Sequence, residues 1–308
     1  MIVDNQLIMN KKHKIVSRIF GGIGNQLFCY AAARRLAIVC NAELVIDDVS
    51  GFAYDELYQR NYQLDNFSIP CSKATANERL EPFSRLRRYV KRAYNFRFPF
   101  TERTYIQETC LDFDSRLLNL QPRGTVYLDG YWQSEGYFKD VDNTIRQDLK
   151  IKFPVDEANS VMASLIRASI AVAVHVRFFD APNNDGSNNL LDDYYASAVA
   201  RMEALVPGAH YFVFSDRPED ARASIPLPEN RITFVTHNQG DTNAYADLWL
   251  MTLCKHFIIA NSTFSWWGAW LAAEAGKQVI APAITIKGAS QVTAWGFRGL
   301  IPQAWIKI

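Results

Sequence analysis

The chain has 308 residues, 49% apolar and 21% charged, enough for two domains with sizeable cores, and this excludes disorder as a global description. Its 33 Lys and Arg against 32 Asp and Glu leave a net charge of +1, so the basic excess of a dedicated nucleic-acid binder is absent. Five scattered cysteines with no C-x-x-C pair fit neither a disulfide framework nor a zinc knuckle, and agree with a reducing compartment.

The first residues, MIVDNQLIMNKKHK, hold no apolar stretch of useful length, so a cytoplasmic chain is expected. Lys14 to Phe20 reads as a strand, Gly21 to Gly24 as a tight turn, Asn25 to Cys40 as a helix and Glu43 to Asp47 as a second strand. Residues 50–120 carry no clear pattern. Thr125 to Trp132 is the next predicted strand and Ser134 to Lys150 the next helix, and Phe153-Pro154 opens a polar linker. The second half alternates plainly. Predicted strands at 171–177, 210–216, 231–236, 257–260 and 278–281 are separated by helices at 192–205, 218–223, 244–255 and 263–275. The uncharged stretch His256 to Ala273 carries Asn261, Ser262, Thr263 and Ser265 in its middle. It therefore reads as a buried strand and helix and not as a membrane span, which needs ~20 mostly apolar residues. The expected architecture is α/β: two Rossmann-like domains, 1–153 and 154–308, facing a cleft, with the last residues packing back on the first domain.

Ligands of parallel α/β sheets bind beyond the carboxyl ends of the strands. Polar clusters fall at four such ends: Gly21–Gln26, His175–Asp180, Ser215–Asp216 and Asn261–Ser265. Two of them also open helices, where free N–H groups and the dipole favour an anion. With Arg177 beside them, a diphosphate is the simplest ligand. The Gly21-Gly-Ile-Gly24 turn lacks the third glycine of a dinucleotide fingerprint, because Leu27 stands there. Two D-x-D strings, Asp112-Phe-Asp114 and Asp140-Val-Asp142, do not follow clean strands and read as solvated surface.

Taken in order, Gly21–Phe28, Gly130–Glu135, His175-Val-Arg177 with Asp180, Phe214-Ser-Asp216, Asp247–His256 and Asn261–Leu271 resemble the bacterial α-1,2-fucosyltransferases. The last block is long and specific, and the likeness runs from residue 14 to about 282. The resemblance implies a GT-B-like fold, GDP-fucose as co-substrate, inversion at the anomeric carbon, no cofactor and no metal. It places Gly24, Asn25, His175, Arg177, Asp216, Asp247, Ser262, Thr263, Phe264 and Ser265 on the donor. It places Gln26, Trp132 and Gln133 on a galactose-terminated oligosaccharide acceptor, such as a lipid-linked O-antigen repeat unit. Arg177 would meet the charge growing on the leaving phosphate, and Asp180 or Asp185 would be the base. Phe178 and Phe179 depart from the family's His-x-Arg-Arg-x-Asp pattern, so one cation is missing, and Arg217 is the expected replacement.

Arg85, Arg87, Arg88, Lys91, Arg92 and Arg97 crowd together among Leu86, Tyr89, Val90, Tyr94 and Phe96. They read either as a solvated helix face or as a contact with the anionic inner face of a membrane. The rival functions are a dinucleotide-dependent oxidoreductase built on the Gly21–Gly24 turn and a non-catalytic glycan-binding protein. The missing glycine counts against the first, and the second predicts glycan binding without any dependence on GDP.

Overall fold

A computed structural model describes residues 13–56, 58–122, 124–154, 156–179, 188–286 and 294–308. In the first half, β1 (Lys14–Arg18), α1 (Ile23–Val39) and β2 (Glu43–Asp47) are followed by β3 (Ser72–Lys73), α2 (Ser84–Asn95), β4 (Tyr105–Gln107) and β5 (Thr125–Asp129). The sheet order is β3-β2-β1-β5-β4, with every pair parallel. Next come α3 (Asp142–Asp148) and α4 (Glu157–Arg167), which precede the second sheet. That half contains β6 (Ala171–Val176), α5 (Asp192–Leu205), β7 (His210–Ser215), α6 (Pro218–Ser224) and β8 (Ile232–Val235). It continues with α7 (Ala244–Thr252), β9 (His256–Ile258), α8 (Thr263–Leu271), β10 (Val279–Ala281) and β11 (Ile306–Lys307). Its order is β11-β10-β9-β6-β7-β8, again all parallel. All six residues of β6 are buried, as a strand covered on both faces requires.

Strand order reverses in each sheet, and this locates the crevices. From β6 the chain steps outward to β7 and β8, then returns to the other side of β6 as β9. Residues just past β6 and β9 therefore flank an opening that no crossover covers. In the first sheet β1 holds the equivalent place, between β2 and β5.

The two halves meet through α1 and α8. A Cβ on Gly24 would lie 2.5 Å from the Thr263 carbonyl carbon, so only glycine permits this approach. Phe28 packs on Trp266 and Trp267 at ring distances of 4.5 and 4.9 Å, and Phe138 stacks on Trp267 at 5.5 Å. The Trp266 indole donates 2.8 Å to the Leu300 carbonyl. The two tryptophans are thus the apolar seam between the halves. Near its end the chain crosses to the first half, where Ser134 Oγ donates 2.7 Å to the Gly299 carbonyl, before β11 joins the second sheet.

The structure corrects several expected bounds. β1 stops at Arg18, because Gly21 turns the chain at φ +77°. β5 ends at Asp129, three residues early, and Trp132 sits in the left-handed region at φ +58°. The helix expected at 134–150 is two short 3₁₀ turns followed by α3 alone. Phe138 and Tyr137 turn inward there to pack against Trp267 and Trp132, and that burial overrides local helix propensity. Of the D-x-D residues, Asp114 pairs with Arg116 at 2.6 Å, Asp140 pairs with Arg35 at 2.6 Å, and Asp112 accepts from the Arg298 amide. These contacts hold loops in place.

Candidate active site

The carboxyl ends of the two sheets face one cavity of about 790 Å³. On the second-half wall, His175 is the fifth residue of β6. Its Nδ1 lies 2.9 Å from Ser265 Oγ and its ring is 5.3 Å from Phe264. Burial, with the charge of Arg177 adding to it, pushes its pKa down to about 3, so the imidazole is neutral. Arg177, just past β6, pairs with Asp216 at the end of β7, Nη1 to Oδ2 at 2.7 Å. Asp216 also accepts from the Phe178 amide at 3.1 Å. Burial depresses the Arg177 pKa and Asp216 opposes this, while the charge of Arg60 adds to the depression. A guanidinium stays protonated through such shifts.

Arg60 is the cation that the motifs do not reveal. It reaches across from the first half to pair with Asp241, which also accepts from Gln63 Nε2 at 2.8 Å. Both Arg60 and Asp241 line the cavity. Arg60 stands in the long loop after β2, where no local pattern marks it. The expected replacement cation, Arg217, instead pairs with Asp220 at 3.0 Å and lies over the Phe178 ring. It is not among the described residues lining the cavity.

Asp247 enters from the first turn of α7 and accepts 2.9 Å from Asn238 Nδ2. Burial pushes its pKa up to about 7, and the hydrogen bond from Asn238 only partly opposes this. α8 opens at the same wall. Ser262 caps it, its hydroxyl accepting from the Phe264 amide at 3.3 Å, and Ser262, Thr263 and Phe264 line the cavity. Ser265 does not line it. Fully buried, Ser265 reaches His175 and the Ser262 carbonyl, so it orients the imidazole from behind. Its hydroxyl is directed to these two partners and not to the cavity.

On the first-half wall, Gly24, Asn25 and Gln133 line the cavity. Asn25 Oδ1 accepts from Gln133 Nε2 at 2.8 Å and from Thr263 Oγ1 at 2.9 Å, tying the two halves at the mouth of α8. Two expected acceptor residues lie elsewhere. Gln26 is fully buried and uses its whole amide on the backbone of Gly21, Asn61 and Gln63. It braces the loop that carries Arg60. Trp132 is buried edge-on against Tyr137, outside the cavity. The chain turns at Gly130–Trp132, with Trp132 at φ +58°, and this turns the indole away from the cavity. Asp180 and Asp185 lie outside the described residues.

Arg18 and Arg88 complete this wall. Arg18 pairs with Asp129 at 3.0 Å, and Asp129 also accepts from the Tyr105 hydroxyl at 2.6 Å. Arg88, expected among the outward basic residues of α2, is instead only 8% exposed and lines the cavity. No helix among the described residues is long and apolar enough to cross a membrane. Among the same residues, no group of three or more His, Cys, Asp or Glu stands where it could hold a metal ion.

Arg177, Arg60 and the start of α8 thus meet at one side of a polar crevice, with the buried Asp247 carboxyl beside them. That set suits an anion attached to a flat, hydrogen-bonding group. Three comparisons with known proteins agree with the geometry. The family described as Glycosyl transferase family 11 matches residues 68–292. An alpha-1,2-colitosyltransferase of Escherichia coli is 29% identical over 267 residues, 83% of this chain and 87% of that protein. The O-antigen biosynthesis glycosyltransferase WbnK of Escherichia coli is 26% identical over 286 residues, 86% of this chain and 93% of that protein. In fold, the chain is similar to a mutant of Arabidopsis thaliana FUT1 solved with GDP, at a TM-score of 0.50 and 14% identity, covering 87% of this chain and 70% of that one. The facing parallel sheets are the GT-B-like arrangement, and the chain belongs to glycosyl transferase family 11.

Proposed function

We propose that the protein transfers L-fucose from GDP-fucose to the 2-hydroxyl of a terminal galactose in an oligosaccharide, as in a cell-surface O-antigen repeat unit. The observation that carries this reading is the pair Arg177–Asp216 beside the α8 start and the buried Asp247, all on one crevice wall. Asp247 as a carboxylate accepts both N–H groups of guanine's Watson–Crick edge. Arg177 and Arg60 exchange carboxylate partners for phosphate oxygens, and the first amides of α8 add to them. The acceptor oxygen attacks the anomeric carbon from the face opposite the diphosphate. A new C–O bond forms as the bond to the β-phosphate oxygen breaks, and that oxygen leaves with the electron pair as GDP. The acceptor's proton passes to Asp180 or Asp185. In this reading the chain's own cations do the charge neutralisation, and no metal or other cofactor is needed.

The test is product formation from GDP-fucose and simple β-galactosides in excess EDTA, with the anomeric configuration read by NMR. An α-1,2-fucosylated product under EDTA is expected. A requirement for added divalent ion, or no GDP release with any galactoside, overturns the reading. The colitosyltransferase relative favours one other donor sugar. Colitose is fucose without its 3-hydroxyl, so a higher kcat/KM for the 3-deoxy donor would replace fucose in the proposal while leaving the site intact.

We further propose that the outer face of α2 rests on an anionic membrane surface in the cytoplasm. Leu86, Tyr89, Val90 and Tyr94 are all more than half exposed, among basic residues that include Lys91 and Arg97, and the helix has no acidic residue. Each basic residue near such a surface contributes ~1 kcal/mol. Sedimentation with phosphatidylglycerol vesicles, and not with phosphatidylcholine vesicles, is expected at low salt. The double change Lys91→Glu and Arg97→Glu should abolish it. Equal sedimentation of the variant and the wild type would remove this contact.

A further inference from the structure

We propose that the first-half wall of the cavity holds an anion-binding subsite centred on Arg88, and that the acceptor carries a carboxylate or phosphate that this guanidinium receives. The inference rests on the acceptor assignment above and narrows the substrate class.

Arg88 projects from α2 into the cavity with 8% of its surface exposed, and its Nη1 is buried without a hydrogen-bond partner. An arginine so buried ordinarily has a carboxylate beside it, because desolvating an unpaired charge is expensive. Its charge reaches the Tyr105 and Tyr127 phenols, and each phenol donates to a carboxylate, Asp129 and Asp47. Asp129 is taken by Arg18 and by the Tyr105 hydroxyl. Asp47 is fully buried and accepts from the Tyr127 hydroxyl, the Ser50 hydroxyl and the Ser50 amide. Among the described residues neither forms an ion pair with Arg88, although its charge acts on both the Tyr105 and Tyr127 phenols. These two acids are thus engaged by neighbouring groups, and Arg88, which lines the cavity, has no acid paired with it among the described residues.

A second cation stands beside it. Arg85, one turn earlier on α2, also lines the cavity and lies over the Tyr54 ring at 4.9 Å. The wall opposite the donor side therefore offers two guanidiniums from one helix, with Tyr54 and Tyr58 lining the same space. A neutral sugar needs hydroxyl and amide partners and stacking faces, and gains nothing from a buried unpaired guanidinium. A carboxylate or phosphate gains charge-assisted, bidentate bonds.

Two sources supply that chemistry: an acidic sugar next to the galactose, or the diphosphate through which a glycan is carried on a lipid. The probes are galactosyl-glucose, galactosyl-glucuronate and a galactose-terminated disaccharide on a short-chain isoprenyl diphosphate. Each is assayed for kcat/KM with wild type, Arg88→Gln and Arg88→Lys. Relative to the neutral disaccharide, wild type should prefer one of the two anionic probes. Arg88→Gln should reduce that preference by about 10- to 100-fold, and Arg88→Lys should restore part of it. The glucuronate arm responding alone assigns an acidic sugar, and the diphosphate arm alone assigns the lipid carrier. Equal treatment of all three probes by wild type overturns the subsite, and so does a loss in Arg88→Gln shared equally by neutral and anionic probes. Binding of galactosyl-glucuronate and of the diphosphate glycan to the GDP-loaded protein, measured by calorimetry, separates this from failure of the proposed reaction. If no galactoside turns over but Arg88→Gln still abolishes binding of an anionic probe, the subsite stands and the transfer reading falls.

Discussion

Replacing Arg177 by Ala should lower kcat for transfer by about 10²- to 10³-fold, the usual consequence of removing one preorganised donor from a developing oxyanion. The effect should fall on kcat more than on KM, because the β-phosphate oxygen gains most of its charge as the glycosidic bond breaks. The geometry sharpens the expectation. In the free protein Arg177 is paired with Asp216 at 2.7 Å, so the alanine variant leaves that carboxylate unpaired where the diphosphate is to sit. Removing both groups, Arg177→Ala with Asp216→Asn, should therefore recover part of the donor affinity lost in the single variant, but little of the rate. Arg177→Lys keeps the charge and loses the fork, so it should lie between wild type and alanine. Steady-state kinetics with GDP-fucose and a β-galactoside check all three. An alanine variant that keeps kcat within about tenfold would take Arg177 out of the chemical step.

Below about pH 7, GDP affinity should weaken by about tenfold per pH unit or more, and in Asp247→Asn only the part set by the terminal phosphate of GDP, which titrates near pH ~6, should remain. Burial holds the Asp247 carboxyl near a pKa of about 7, so the free site is half protonated there. Only the carboxylate accepts both guanine N–H groups, so binding takes a proton off the group, and acid opposes it. Above pH 7, Asp247→Asn should raise the GDP Kd by about 10- to 100-fold. Inosine diphosphate, which lacks the 2-amino group, should bind wild type more weakly than GDP but distinguish the variant little. Calorimetry from about pH 5.5 to 8 reads these values, and a flat wild-type profile would remove Asp247 from base recognition. The same shift has a stability consequence. A carboxyl whose folded pKa exceeds its unfolded value favours the folded state when protonated, and opposes it increasingly as pH rises from the unfolded value through 7. The ligand-free Asp247→Asn protein should accordingly melt higher than wild type at pH 8, while binding GDP worse.

The motifs led to one wall of the cavity because they lie where strand ends and helix starts coincide in sequence. His175-Val-Arg177 and Asn261–Ser265 are each contiguous, so local rules carry them. The cavity's other charged residues were not legible in this way. Arg60, Asp241 and Arg88 come from the loop after β2, the approach to α7 and the outer helix α2, and only packing brings them to one cavity. Residues 50–120 form long loops, two- and three-residue strands and 3₁₀ turns around the α-helix α2, and such short pieces are too brief to show a period. Gln26 and Trp132, which the resemblance implies for the acceptor, do not line the cavity, because φ +58° at Trp132 and the three bonds made by the Gln26 amide send both side chains inward.

By itself, the amino-acid order determined the alternating parallel architecture and the strand-end segments His175–Arg177 and Asn261–Thr263 that line the cavity, because hydrophobic period and helix-start chemistry are properties of neighbours along the chain. Which groups share a charge was decided only in three dimensions: that Arg60 acts on Arg177 from the other half, that Arg217 pairs with Asp220, and that among the described residues no acid pairs with Arg88. Coulomb energy depends on distance and burial, and residues far apart in the chain acquire both only when the two halves close over each other.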